Sequence, residues 1–420
     1  MSSRKNAHAS EQAKIDNLLH LWYIFDVEKF WRKNMLLIKN VNIITMEEND
    51  FENGFLAVCD GKIAKIGDMK DFTESFGDEV LDFSGKTVLP GFIDSHCHVG
   101  MWEEGLGFEG DDGNEDSDPV TPHLRAIDAI NPFDEAFKNA ASAGVTTVVT
   151  GPGSANVLGG QFAALKTAGL GVDNMLINPY IAQKAALGEN PKTVYSSKKQ
   201  APITRMATAA LLRETLVFAR EYVRKWDEYN KNPEENDRPD IDFKLESLVP
   251  VIKKEIPLKI HAHRADDILT AIRIAGEFDL KITLDHCTEG HLIADILKEK
   301  NYPIILGPTL GTKSKPELKN LSFDIYPALT NKGIKYSIVT DHPEIPIEQL
   351  PLCAMLAEKS GISKKDALMA ITINAAENAG IADRVGSLKA GKDADFLVVQ
   401  GTPLTMDMKI VSVYINGKEV

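Results

Sequence analysis

The stretch GFIDSHCHVG occupies residues Gly91–Gly100, and its reading decides the fold. Three apolar or small residues and an aspartate lead into His96 and His98. On a β-strand, residues i and i+2 share a face, so both imidazoles project together and Cys97 faces away. Two imidazoles on one face can chelate a metal ion. They can equally be two polar residues closing a strand. The rest of the chain decides between these.

Composition is that of a globular protein. Of 420 residues, 43% are hydrophobic and 26% charged, and the net charge is −14. That balance argues against nucleic acid or an anionic membrane as the main partner. A small-molecule substrate is the better expectation, and a homo-oligomer is left open. The four cysteines (Cys59, Cys97, Cys287, Cys353) are widely spaced, which suggests a reducing, cytoplasmic compartment. No membrane-spanning run is visible, and NLLHLWYIF (Asn17–Phe25) is too short to span.

Residues 1–34 read as an N-terminal extension. They are either an upstream leader or an amphipathic helix through Leu18, Leu21, Trp22, Phe25 and Trp31 that docks on a partner or on the body of the protein. From Met35 the chain is β-rich, with DGK inside GFLAVCDGKIAKIGD as a hairpin signal. The C-terminus is similar: KIVSVYINGKEV carries a turn-forming NGK. Each end alone is too small to bury a core. Residues 35–88 and 389–420 are therefore expected to form one small β-sandwich domain built from both ends.

Between them, residues 89–388 alternate strand and helix. The strand-like runs are TTVVTG, LKIHAH, KITLDHC, PIILGPT and YSIVTDHP. The helix-like runs include ITRMATAALLRETLVFAREYVRKW and ADDILTAIRIAGEF. Apolar strands with helical crossovers mean a parallel sheet covered on both faces, and ~300 residues suit a (β/α)8 TIM-like barrel. A doubly wound sheet needs a Gly-rich phosphate loop after its first strand. Here that strand ends in His-Cys-His, and GPGSANVLGG (Gly151–Gly160) reads as a structural βα turn.

The polar residues that interrupt these strands all lie at their C-terminal ends: His261 and His263, then His286, then Asp341 and His342. In a barrel this is the face where chemistry sits. His-x-His, His-x-His, His and Asp in that order point to a metal site.

These motifs resemble the amidohydrolase superfamily of metal-dependent hydrolases, in particular its imidazolonepropionase-like and prolidase-like members. The resemblance covers about residues 35–420. LPGFIDSHCHVG looks like the family's first barrel strand, AHRADDI and ITLDHCTEG its fifth and sixth, and VTDHP its eighth. GSLKAGKDADFLVV looks like the return into the small β domain. The resemblance implies His96 and His98 as ligands of a first metal, His261 and His286 of a second, and Asp341 near the first. His263 would then sit in the substrate pocket or be structural. Many members carry a fourth-strand lysine carbamylated by CO2 that bridges two ions. YIAQKAALGENPK offers Lys184, with Glu189 as its rival; if Glu189 is the ligand, the site can hold a single ion.

Imidazole and carboxylate ligands with an open position suit Zn2+ first. An ion so held lowers the pKa of water from about 15.7 toward about 7. Asp341 is the expected general base and acid, with His263 or His342 polarising a substrate carbonyl. The expected reaction is hydrolysis of an amide or cyclic-amide C–N bond. A deaminase on the same site and a non-catalytic scaffold are the alternatives. Arg264 could clamp a substrate carboxylate or simply pair with Asp266 or Asp267. The run from Glu103 to Asp118 carries eight acids and no base. It could select a cationic substrate, hold another cation, or be a solvated lid.

Overall fold

A computed structural model describes residues 35–73 and 79–420. The expected docking helix within residues 1–34 lies outside the described residues. Among the described residues, sixteen strands build two eight-stranded sheets.

The first sheet comes from both ends of the chain. It contains β1 (Met35–Ile43), β2 (Phe51–Cys59), β3 (Lys62–Asp68), β4 (Glu79–Asp82) and β5 (Thr87–Pro90). The second sheet follows with β6 (Phe92–Cys97), β7 (Val145–Thr150), β8 (Leu158–Lys166), β9 (Leu176–Ala186), β10 (Leu258–Ala262), β11 (Ile282–His286), β12 (Ile304–Leu306) and β13 (Ser337–Ile338). The chain then returns to the first sheet with β14 (Phe396–Gln400), β15 (Lys409–Ile415) and β16 (Lys418–Glu419).

In the first sheet β1 pairs with β2 on one side and with β4, then β5, on the other. The two chain ends meet where β5 runs antiparallel to β14. Both hairpin signals are realised. Asp60 and Gly61 have φ of 49° and 75°, and Asn416 and Gly417 have φ of 49° and 71°; paired positive φ values give the type I′ turn that matches strand twist. Ile38, Val41, Leu56, Val88, Phe396 and Val398 form a shared core from both ends.

Gly91 is the single residue between β5 and β6. A Cβ there would lie 2.1 Å from Thr146 Oγ1, so only glycine lets the two sheets follow one another so closely. A buried ion cluster seals the same end. Lys166 pairs with Asp395 and lies 3.0 Å from Asp393, and Asp393 also takes Arg384 at 2.7 Å and Lys62 at 2.9 Å.

The second sheet is the barrel, ordered β6 through β13 in sequence. The expected all-parallel (β/α)8 pattern has one exception. β8 runs antiparallel to both β7 and β9. The Gly151–Gly160 segment is therefore not a βα turn: it closes a β–β connection, and Gly159 and Gly160 already lie in β8. Strand and helix alternation resumes after β9. Helices Arg205–Lys231 and Ala265–Phe278 occupy the positions read from their periodicity. Thr204 Oγ1 caps the first by accepting from Ala207 N–H at 3.1 Å.

Candidate metal centre

The barrel's C-terminal end collects side chains from the ends of five strands, β6, β9, β10, β11 and β13. Parity explains which side chains point inward. Lys259 and His261 on β10 lie opposite Thr283 and Asp285 on β11, so these four share a face. His286 has the opposite parity. Its φ of 71°, followed by 46° at Cys287, turns its ring back toward the site. Asp341 likewise has φ 56°. Non-glycine residues in this region are strained, and such strain clusters at functional sites.

Each histidine has one ring nitrogen tied down. His96 Nδ1 lies 2.6 Å from Asp285 Oδ2, which is itself 3.2 Å from the buried Lys259 Nζ. His98 Nδ1 donates to Gly151 O at 2.6 Å, and His286 Nδ1 to Gly307 O at 2.7 Å. His261 Nδ1 lies 2.9 Å from Ser154 Oγ, and His263 Nδ1 lies 2.7 Å from Thr288 Oγ1. Because carbonyl and carboxylate oxygens only accept, the Nε2 atoms of His96, His98 and His286 are left with their lone pairs in the neutral ring. Burial holds His96, His261 and His286 well below the usual histidine range.

Those lone pairs converge on a carboxylate. Asp341 Oδ1 is 3.4 Å from His96 Nε2 and 3.2 Å from His98 Nε2. Acceptors facing acceptors repel unless a cation lies between them. His286 Nε2 and Asp341 Oδ1 are buried and have no hydrogen-bond partner among the described residues, a condition that costs roughly 1–3 kcal/mol per group. A divalent ion would satisfy them. The ligand atoms of His96, His286 and Asp341 lie within 4.8 Å of one another, as do those of His261, His263 and His286. The donor set thus fits a divalent metal, with His286 common to two groups.

Lys184 is fully buried on β9, opposite Lys259 in register. Its Nζ lies 3.3 Å from His96 Nε2. Burial pushes the ammonium down to about 8, against the pull of Asp285 and Asp341. Glu189 instead starts the helix Glu189–Ser197, and its Oε2 accepts from Glu317 N–H at 3.1 Å.

A cavity of about 520 Å³ opens onto this centre, lined by His98, Trp102, Asn190, His261, His263 and Asp341 among others. A hollow of about 560 Å³ along the outer helix Arg205–Lys231 has no histidine or cysteine in its wall.

Two of the expected site residues lie outside the lining of this cavity. Arg264 does not line the cavity. Its guanidinium forks onto Asp266 at 2.9 and 2.8 Å, because two residues of spacing at a helix start bring the pair together at the surface. His342 is buried but also misses the cavity. Its Nδ1 accepts from Ile347 N–H at 3.2 Å, so the loop that follows fixes the orientation of the ring. The acidic run is mostly solvated: Glu104, Glu109, Asp111, Asp112 and Glu115 are exposed. Asp116 and Asp118 pair with Lys198 and Lys244, each at 2.6 Å.

The orienting groups Asp285, Lys259, Ser154 and Thr288, and the buried Glu317, were not found from sequence. For Lys259 and Asp285 the available signal was two charged residues at the parity of His261 inside apolar strands.

The amidohydrolase family's sequence model matches residues 87–420. The crystal structure of an amidohydrolase from Thermotoga maritima MSB8 superposes with a TM-score of 0.87 at 40% identity, covering 92% of this chain and 99% of that one. Amidohydrolase tasK of Hapsidospora irregularis is 28% identical over 397 residues, 87% of this chain but 39% of that protein. An adenine deaminase of Listeria monocytogenes is 25% identical over 414 residues, 97% of this chain and 60% of that protein. This chain thus matches less than two thirds of the length of these two relatives. Among its described residues, no helix is long and apolar enough to cross a membrane.

Proposed function

The chain belongs to the amidohydrolase family, and on that premise we propose that it is a metal-dependent hydrolase cleaving a C–N bond of an amide or cyclic amide. The single observation that carries this reading is the set of imidazole lone pairs facing Asp341 at the C-terminal strand ends. In this proposal His96, His98 and Asp341 would hold one ion, and His261 and His286 a second. Lys184, carbamylated when its neutral amine attacks CO2 and releases a proton, would supply further oxygen ligands to them. Zinc is the first choice for these ligands. When bound, the ion supplies Lewis acidity and water acidified toward neutral pH.

The chain's own residues supply the remainder. Asp341, ionised at neutral pH, accepts the proton of the attacking water on a carboxylate oxygen and returns it to the leaving nitrogen. Thr288 Oγ1 can donate to His263 Nδ1, which keeps the proton on His263 Nε2 for a hydrogen bond to the substrate carbonyl. Burial holds His263 down to about 3, so it acts as a neutral donor. Trp102, whose ring meets that of His98 edge-on at 4.8 Å, covers one side of the centre.

The likeness to an adenine deaminase supports a second reading, attack at a C=N carbon. One experiment separates the two. Purified protein is assayed with cyclic amides, N-acyl amino acids, dipeptides and aminopurines, following carboxylate formation and ammonia release. Carboxylate formation is expected; ammonia from aminopurines alone would establish the deaminase. Asp341→Asn should fold, keep most of its metal and lose about 10²–10⁴-fold in rate. Protein with less than a tenth of an equivalent of any transition metal would overturn both readings and leave the scaffold.

A further inference from the structure

Glu317 lies outside the ligand set proposed above. It sits on the loop beyond β12 and is 1% exposed. Its Oε2 accepts from Glu189 N–H at 3.1 Å, and Glu189 Oε2 accepts from Glu317 N–H at 3.1 Å. This reciprocal clamp fixes the loop over the barrel mouth. Oε1 faces the opposite way. It is 3.6 Å from His261 Nε2 and 3.7 Å from His263 Nε2, with Lys315 Nζ at 2.9 Å.

Both imidazole separations are too long for hydrogen bonds. The one to His261 is close to the spacing of about 3.4 Å between neighbouring ligand atoms that each sit about 2.0–2.1 Å from one tetrahedral ion. His261 has its Nδ1 beside Ser154 and its Nε2 3.5 Å from Asn190 Nδ2, so Nε2 is the atom that can bind an ion in place of that long contact. A buried carboxylate with one oxygen used structurally and the other facing this nitrogen is built like a ligand.

We propose that Glu317 is a further ligand of the second metal ion, supplied by the loop after the seventh barrel strand. The proposal rests on the reading of this chain as a metal-dependent hydrolase. Lys315 shares the same oxygen and also holds Asn190 Oδ1 at 2.9 Å. It offsets the carboxylate's charge while no ion is bound and competes with the ion for Oε1.

The test is titration of chelator-stripped, full-length protein with Co2+, followed by equilibrium dialysis and visible absorption. Glu317→Gln should weaken one equivalent by more than about 100-fold, beyond the range for a partner outside the ligand shell. It should also change the visible band of that equivalent and leave the other intact. Lys315→Met should bind that equivalent as tightly as the unmodified protein or more tightly. If Glu317→Gln does not fold, Glu317→Asp decides: it keeps the charge and the lysine partner but falls short of the ion, so the same equivalent should weaken. A smaller loss with an unchanged band would overturn the proposal, as would Lys315→Met weakening binding as much as Glu317→Gln. Unmodified protein that binds no Co2+ would overturn the hydrolase reading itself, whereas normal binding unaffected by either Glu317 variant would overturn only the role of Glu317.

Discussion

Asp94 ties the first barrel strand to the last through Thr340. Its Oδ2 accepts from Thr340 N–H at 2.9 Å and from Thr340 O–H at 2.6 Å, and its Oδ1 accepts from His96 N–H at 3.0 Å. Among the described residues no strand ladder joins β6 to β13; this carboxylate, with His98 N–H donating to His342 O at 2.9 Å and the Ser95 and Ser337 hydroxyls 2.8 Å apart, holds His96 near Asp341. Asp94→Asn cannot accept at both positions. Its metal affinity is expected to fall about 10–100-fold, measured by metal titration alongside thermal melts. Unchanged affinity would show that the seam does not position the ligands.

Lys184→Ala should abolish turnover, and short-chain carboxylic acids should restore part of it by supplying the missing bridging oxygens. Activity of unmodified protein should fall in CO2-free buffer and recover with bicarbonate. Full activity in Lys184→Ala, with loss in Glu189→Ala, would move the bridge to Glu189.

Arg264→Ala should leave kcat/KM within about twofold and stability within about 1 kcal/mol, the range of exposed ion pairs. Steady-state kinetics and urea melts check both. A large rise in KM would restore Arg264 as a substrate clamp.

Asp393 should make stability acid-sensitive. Burial raises its carboxyl, but Lys166, Lys62 and Arg384 outweigh this and bring it down to about 2. The unfolded value is about 3.9. Folding therefore favours the ionised form, and the contribution is fully present above about pH 4 and lost as pH falls through about 2. In melts of metal-free protein, the stability gap between unmodified and Asp393→Asn protein should shrink across that window. A gap that stays constant with pH would remove the ion cluster as its cause.

Much of the barrel and its charged lining was legible because strand-end histidines break apolar runs at a fixed period. His96 and His98 follow from parity alone. His286 does not: parity sends it away from His261, and only the positive φ at its own position brings it back. Ser154 and Glu317 come from loops whose conformations leave no periodic trace. The reversal of β8 was hidden by glycines, which suit a turn and a strand equally. Arg264 and His342 were read from adjacency to a ligand in sequence, which does not give a side chain the same direction: Arg264 turns onto Asp266 and His342 onto Ile347 N–H.

The pairing of β5 with β14 also has a consequence in time. Some ~300 residues separate the two strands, and at roughly 5–20 residues per second of synthesis β5 waits about 15–60 s for its partner to leave the ribosome. During that interval Val88 and Leu89, fully buried in the finished protein, sit on an open strand edge of the nascent chain. Such an edge is a template for pairing with other chains. The risk of aggregation in this protein is therefore greatest while it is being made, and slower elongation of the central barrel would lengthen the exposure.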